Sequence, residues 1–229
     1  MAGRRRVAVL VSGRGSNLQA LIDAAKAPDY PAEIICVISN RPQAYALRRA
    51  DEAGLEPLVL DHKAFADRDQ FEEALQAALK ERRIDLVCLA GFMRLLNAEF
   101  VAKWRDRMLN IHPSLLPAFK GLHTHERVLE EGVRFTGATV HFVRPEMDSG
   151  PIIAQSVVAV HPGDTKEDLA VRVLAQEHLL YAEALRLVAS GAVRVRGDKV
   201  IVTGAGAPDQ ALINPVIAPH SPPRATPDR

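Results

Sequence analysis

The chain has 229 residues, of which 48% are hydrophobic and 25% charged, as is usual for a soluble globular protein. Its formal net charge of +1 provides no overall field to attract nucleic acid or a membrane surface. No apolar run is long enough to span a bilayer, and the short apolar run after Arg4 to Arg6 does not form a signal peptide. We therefore expect a cytoplasmic protein that binds neither nucleic acid nor membrane.

The first half of the sequence alternates apolar runs with amphipathic helical patterns. Strands are predicted at 7–11, 34–38, 57–60, 86–90 and 108–112, and helices at 17–27, 45–53 and 65–81. This alternation predicts βαβ units in a mostly parallel, twisted sheet with helices on both faces, a Rossmann-like α/β fold. Cys36 and Cys88 lie inside predicted strands, where we expect them to fill the core as free thiols.

The second half changes character and predicts a mixed, antiparallel C-terminal part of the sheet. Runs at 136–143 and 152–160 are joined by a turn and can pair antiparallel, and a helix at 165–190 precedes a hairpin around 197–198. Thr165 and Asp168 fit a capping box at the start of this helix. We predict a single domain over 1–204, divided into halves of about 1–105 and about 106–204. Residues 205–229 are proline-rich and are predicted to be a mostly disordered tail.

A glycine-rich turn at 12–17 joins the first predicted strand to the first helix. An open parallel sheet binds phosphate at this position, because backbone amides and the positive end of the helix face the anion. A dinucleotide fingerprint is excluded by Leu18 and by the absence of an acid after the second strand, and the Gly-Lys-Ser/Thr of a P-loop is missing. The turn therefore predicts a site for a monophosphate, with a plain tight turn as the alternative.

Two polar residues occupy alternate positions of the fifth predicted strand. Asn110 and His112 share one face of this strand at its carboxyl end, where open α/β sheets place their ligands. A buried structural histidine is the alternative. Asp148 lies in the turn between the next two strands; it either accepts local backbone hydrogen bonds or reaches His112, where its charge would favour the imidazolium.

Motifs at several positions carry a family resemblance: SGRGSNL at 12–18, LAGFMR at 89–94, NIHPSLLP at 110–117, GLHTH at 121–125 and DSGP at 148–151. In this order they resemble the folate-dependent phosphoribosylglycinamide formyltransferase family, over about residues 7–202. The resemblance implies transfer of a formyl group from 10-formyltetrahydrofolate, as co-substrate, to the amine of glycinamide ribonucleotide in purine biosynthesis, by a monomer or homodimer that needs no metal.

The resemblance also implies that the half of about 1–105 binds phosphate and that the half of about 106–204 binds folate and carries catalysis. It further implies roles for individual residues. Asn110, His112 and Asp148 match the family's catalytic residues, and His141 is expected to support them. Expected contacts to glycinamide ribonucleotide come from the glycine turn and the long helix: Gly13, Gly15, Ser16, Asn17 and Glu177. Expected folate contacts come from two segments: Met93, Arg94, Leu95, Leu96 and Val101, and Arg144, Glu146 and Met147. Leu174 departs from the family pattern, which carries a polar residue there.

Three other functions fit part of the same sequence pattern. A methionyl-tRNA formyltransferase shares the catalytic core, but we expect it to show an RNA-binding domain where this chain has a proline-rich tail. A formyltetrahydrofolate deformylase shares much of the same motif set, typically with an added N-terminal domain. A non-catalytic phosphate-ligand module is the alternative from another class, because fold alone does not imply function.

Overall fold

The computed structural model describes residues 3–204 and 206–215. Its strands are β1 (Arg5–Val11), β2 (Ala32–Ser39), β3 (Glu56–Val59), β4 (Leu86–Leu89), β5 (Met108–His112), β6 (Phe135–Phe142), β7 (Ile152–Ala159), β8 (Val193–Arg196) and β9 (Lys199–Val202). Its α-helices are α1 (Ser16–Ala25), α2 (Tyr45–Glu52), α3 (Arg68–Glu81), α4 (Ala98–Lys103), α5 (Thr124–Glu130) and α6 (Lys166–Ala189).

Seven strands form one sheet in the order β3-β2-β1-β4-β5-β6-β7. Pairings from β3 through β5 are parallel, whereas β6 runs antiparallel to both β5 and β7. Strands β8 and β9 form a separate two-stranded hairpin. The predicted fold, a mostly parallel sheet with an antiparallel C-terminal part, is confirmed.

The continuous apolar run of β1 is explained by burial on both faces of the sheet. Val7 and Val9 pack into one core cluster with residues of α1 and α6, while Ala8 and Leu10 pack into a second cluster with residues of α3. All four are completely buried. Because neither face meets water, the strand shows no polar alternation.

Helix boundaries differ from the predictions where side chains cap a helix. Helix α3 begins at Arg68 because the Asp67 carboxylate accepts a hydrogen bond from the Gln70 amide, and a 3₁₀ turn (His62–Ala64) precedes it. The short helices α4 and α5 were not predicted. The capping box of α6 between Thr165 and Asp168 is confirmed.

Only part of the predicted tail lies within the described residues. Residues 206–215 contain no helix or strand, and the Asn214 side chain donates to the carbonyls of Arg134 and Val160 at 2.6 and 3.0 Å. Residues 205 and 216–229 lie outside the described residues, so the tail and the division at residue 204 stay predictions. Over the described part of the chain, no helix has the length and apolarity to cross a bilayer.

Candidate active site

The three predicted catalytic residues meet at strand β5. Asn110 and His112 lie on β5 itself, and the turn between β6 and β7 carries Asp148 to His112. The His112 Nδ1 atom and the Asp148 Oδ2 atom are 3.4 Å apart, and the two side chains are only 7% and 10% exposed. Such a partly desolvated pair interacts more strongly than a surface ion pair.

Both ring nitrogens of His112 face acceptors. The Nε2 atom donates to the carbonyl of Phe119 at 2.9 Å, and Nδ1 faces the Asp148 carboxylate. The imidazole ring of His112 therefore lies between a backbone carbonyl and a carboxylate.

His141 orients the amide of Asn110. The two residues are partners in the β5–β6 ladder, and His141 is 2% exposed. Burial lowers the pKa of His141, which favours a neutral ring. The Nδ1–H of His141 donates to the Phe142 carbonyl at 3.0 Å, so its Nε2 accepts from the Asn110 amide nitrogen at 3.2 Å. This bond holds the Asn110 side chain in one orientation.

The turn that carries Asp148 is tightly constrained. Asp148 has a left-handed backbone conformation, with φ of 52°, and its Oδ2 accepts a hydrogen bond from the amide of Gly121 at 2.8 Å. At Gly150, a Cβ atom would stand 1.6 Å from the carbonyl oxygen of Phe142, so only glycine fits there. The position of Asp148 is thus fixed by backbone geometry as well as by its own contacts.

The predicted phosphate turn lines a cavity of about 330 Å³. Gly15 has φ of 74°, and a Cβ atom at this position would stand 2.6 Å from the Cβ of Ala46. The turn leads directly into α1, whose first residue is Ser16. Gly13, Gly15, Ser16 and Asn17 all line the cavity, as do Arg14 and Arg41.

Asn17 links the glycine turn to the long helix α6. Its amide nitrogen donates to Glu177 Oε2 at 2.7 Å, and Glu177 is 7% exposed. Burial raises the pKa of the Glu177 carboxyl, and the hydrogen bond from Asn17 opposes that shift. These two predicted substrate residues are therefore in contact. Leu174, one helical turn earlier, is half-buried.

The first predicted folate segment follows β4 and leads into α4. Met93 and Leu95 are 61% and 67% exposed, a large apolar exposure for two nearby residues. Leu96 packs at the edge of the core and Val101 is buried. The Arg94 guanidinium stands over the ring of Phe71, 6.0 Å from its centroid.

In the second predicted folate segment, only part of the side-chain surface is free. The Arg144 guanidinium forms an ion pair with Asp106, and the exposed Glu146 lies 3.5 Å from Lys120. Met147 is 51% exposed. Arg144 is therefore available to a ligand mainly through its backbone.

The histidines at 123 and 125 belong to the start of α5. His123 lies 3.2 Å from Glu126, and His125 is half-buried with a pKa lowered by burial. Across residues 3–204 and 206–215, no group of three or more histidine, cysteine, aspartate or glutamate side chains is placed to hold a metal ion.

The sequence analysis did not predict a buried polar network beside the cavity at the glycine turn. The Ser12 hydroxyl donates to Asn40 Oδ1 at 2.5 Å and accepts from the backbone amide of Met93 at 2.8 Å. Ser12 is 4% exposed and Asn40 1%. A polar residue directly after each of two adjacent buried strands was the available signal. The network connects the glycine turn to the first folate segment.

The chain matches the formyl transferase family over residues 5–185. It is 41% identical to phosphoribosylglycinamide formyltransferase of Escherichia coli over 204 residues, covering 89% of this chain and 96% of that protein. It is 53% identical to the trifunctional purine biosynthetic protein adenosine-3 of Gallus gallus over 190 residues, 83% of this chain. The chain spans only 19% of the length of that trifunctional relative.

Solved structures give the same result. Glycinamide ribonucleotide transformylase 1 of Symbiobacterium toebii superposes with a TM-score of 0.86 at 46% identity, covering 88% of this chain and 95% of that one. A formyltetrahydrofolate deformylase of Pseudomonas syringae superposes with a TM-score of 0.80 at 28% identity, covering 88% of this chain and 66% of that one.

The chain is thus an enzyme of the formyl transferase family. Its relatives at high coverage of both chains are phosphoribosylglycinamide formyltransferases, so the resemblance found in the sequence motifs is confirmed.

Proposed function

We propose that this chain transfers the formyl group of 10-formyltetrahydrofolate to the amine of glycinamide ribonucleotide, in purine biosynthesis. The observation that carries the proposal is the contact of Asp148 with His112, which lies on the same strand as Asn110. The chemistry is acyl transfer from one nitrogen to another. The neutral amine attacks the formyl carbon, and a tetrahedral intermediate with an oxyanion forms before the folate nitrogen leaves.

The developing oxyanion needs hydrogen-bond donors fixed in advance. The Asn110 amide, held by His141, is one donor. A cationic His112 is the second, and in this role the formyl oxygen replaces the Phe119 carbonyl as the acceptor from Nε2. Asp148 stabilises the charged imidazole and holds its ring in place.

A proton must also move from the attacking amine to N10 of the departing folate. Asp148 is the group we assign to this transfer, through water. Its carboxylate lies against His112 and is held by the Gly121 amide, which supports a role next to the proposed oxyanion donor. The step needs no covalent formyl-enzyme, and no residue of the chain is required as a nucleophile.

The two substrates are assigned to different segments. Glycinamide ribonucleotide places its phosphate on the turn that carries Gly13, Gly15 and Ser16, and its ribose at the Asn17–Glu177 pair. The exposed apolar side chains of Met93 and Leu95, with Leu96 and Val101 behind them, suit the pterin ring of the folate. Arg94 and the turn 144–147 complete that site.

We also propose a cytoplasmic location, as a monomer or homodimer. Both cysteines are free and buried, in keeping with a reducing compartment. Burial raises the pKa of the Cys36 thiol to about 11, so this thiol stays protonated and unreactive.

Release of tetrahydrofolate from 10-formyltetrahydrofolate, with and without glycinamide ribonucleotide, tests the function. We expect release only when the ribonucleotide is present. Release without it indicates a deformylase, and binding of both ligands with no release indicates a non-catalytic module; either result contradicts the proposal.

A further inference from the structure

Arg41 follows β2 and lines the same cavity as the glycine turn. In dinucleotide-binding folds, the end of the second strand supplies an acid that holds a ribose hydroxyl. This chain carries Asn40 and Arg41 there instead. On the basis of the proposed function, we propose that Arg41 is the principal cationic ligand of the phosphate of glycinamide ribonucleotide. Arg41 then sets the enzyme's preference for a phosphorylated substrate.

The charge of the ligand requires such a residue. A phosphate monoester carries about −1.5 to −2 charges at pH 7. The glycine turn supplies neutral amides, and the start of α1 contributes only about half a positive charge. The Asn17 amide nitrogen is already bonded to Glu177. The turn by itself therefore leaves most of the phosphate charge uncompensated.

Among the residues that the structure describes, the lining of the cavity contains two cations and no carboxylate. The cations are Arg14 and Arg41, and the remaining lining residues are neutral. Among the ion pairs found in the described part of the chain, neither arginine takes part. Arg49, which is also close to the turn, uses its guanidinium on the Arg14 carbonyl and on Gln19. Charge from Arg14 and Arg41 is thus available to an anion.

Arg41 is the better anchored of the two. Its backbone amide donates to Ser39 Oγ at 3.1 Å, and the same hydroxyl donates to its carbonyl at 2.8 Å. Ser39 is completely buried within β2. The Arg41 backbone is therefore fixed at the end of the sheet, whereas Arg14 lies within the turn; both side chains are exposed. A guanidinium on a fixed backbone can form two parallel hydrogen bonds to phosphate at lower entropic cost.

Steady-state kinetics of Arg41→Gln with two amine substrates test the proposal. With glycinamide ribonucleotide, we expect KM to rise by about tenfold or more and kcat to stay within about twofold, because a charged hydrogen bond to the ground state is lost. With glycinamide riboside, which lacks the phosphate, we expect the variant and the unmodified enzyme to have equal kcat/KM. Arg41→Lys should lie between the two.

Arg48→Gln is the matched control. Arg48 is an exposed arginine of α2 that stacks on Tyr45, does not line the cavity, and should leave both kinetic constants unchanged. The proposal is overturned if Arg41→Gln keeps kcat/KM for the ribonucleotide within twofold, or if the riboside suffers the same loss.

Binding of inorganic phosphate, measured by calorimetry, tests the role of Arg41 independently of formyl transfer. If the unmodified chain binds phosphate and Arg41→Gln binds it at least about tenfold more weakly, the role of Arg41 stands even if no formyl transfer is detected. Equal phosphate binding by both proteins contradicts the role of Arg41, and leaves formyl transfer to be judged by its own assay.

Discussion

The turn after β1 and the turn between β6 and β7 supply different halves of the candidate site. The first presents small residues and backbone donors around a cavity, with Gly15 in a left-handed conformation. The second presents a carboxylate, that of Asp148, which the Gly121 amide and Gly150 hold against His112. In the proposed function the first turn binds substrate and the second takes part in the reaction, so changes in the first should act on KM and changes in the second on kcat.

The largest effect on activity is expected on β5, the strand that the turn between β6 and β7 contacts. Asn110→Ala should lower kcat on the order of a hundredfold or more with little change in KM, because one oxyanion donor is lost. The free energy of unfolding should change little, since Asn110 is only half-buried. Asn214→Ala, which removes an amide bonded to Arg134 and Val160, is the control and should turn over normally. Near-normal turnover of Asn110→Ala would refute its role.

Asp148→Asn tests the charged turn directly. Its amide oxygen can still accept from the Gly121 backbone, so the turn should keep its shape while the charge facing His112 disappears. We expect kcat to fall on the order of a hundredfold, with KM for both substrates changing much less. Asp51→Asn, at an exposed aspartate of α2, should behave as the unmodified enzyme. A rise in KM at unchanged kcat would place Asp148 in binding instead.

For substitutions in the glycine turn, we expect KM to change and not kcat. Gly15→Ala adds a Cβ that meets Ala46 and strains a positive φ, so we expect KM for glycinamide ribonucleotide to rise about tenfold and stability to fall by about 1 kcal/mol. Gly13→Ala should do less, because no atom lies within 4 Å of its added Cβ. Equal effects of the two substitutions on KM would contradict the account of the turn.

Ser12→Ala examines the network that connects the turn to the folate segment. It leaves the Met93 amide and the Asn40 side chain without their partner, at a cost of about 1–3 kcal/mol in the free energy of unfolding. KM for both substrates should rise a few-fold together, measured by steady-state kinetics. Ser190→Ala, at the exposed end of α6, is the control. A change in one KM only would show that the network does not connect the two substrate sites.

The smallest effect is a pH dependence of stability. Burial lowers the pKa of His141 below its ordinary 6.5, so the unfolded chain binds a proton that the folded chain does not. The free energy of unfolding should therefore rise with pH up to about 6.5. His125 and His178 have pKa values lowered in the same direction. Denaturant titrations at pH 5 to 7.5 should show a shallower rise for His141→Gln; an unchanged slope would contradict a neutral, buried His141.

The sequence predicts the buried strands and the long helix α6 better than it predicts the short helices. Strands buried on both faces gave continuous apolar runs, so β1, β2 and β4 could be identified, and the capping box located the start of α6. Helices α4 and α5 have only six and seven residues, too few to establish a helical period.

The alternation of side chains along a strand was enough to predict that Asn110 and His112 share one face of β5, without reference to a related protein. The contact of His112 with the Phe119 carbonyl, and the network around Ser12, depend on how loops pack, which local patterns do not encode.

The fate of a labelled formyl group tests the central claim most directly. The enzyme is given 10-formyltetrahydrofolate labelled in the formyl carbon, together with glycinamide ribonucleotide, and the products are separated. We predict that the label appears in formylglycinamide ribonucleotide in equal amount to the tetrahydrofolate released. Label in formate, with the ribonucleotide unchanged, would contradict direct transfer to the amine.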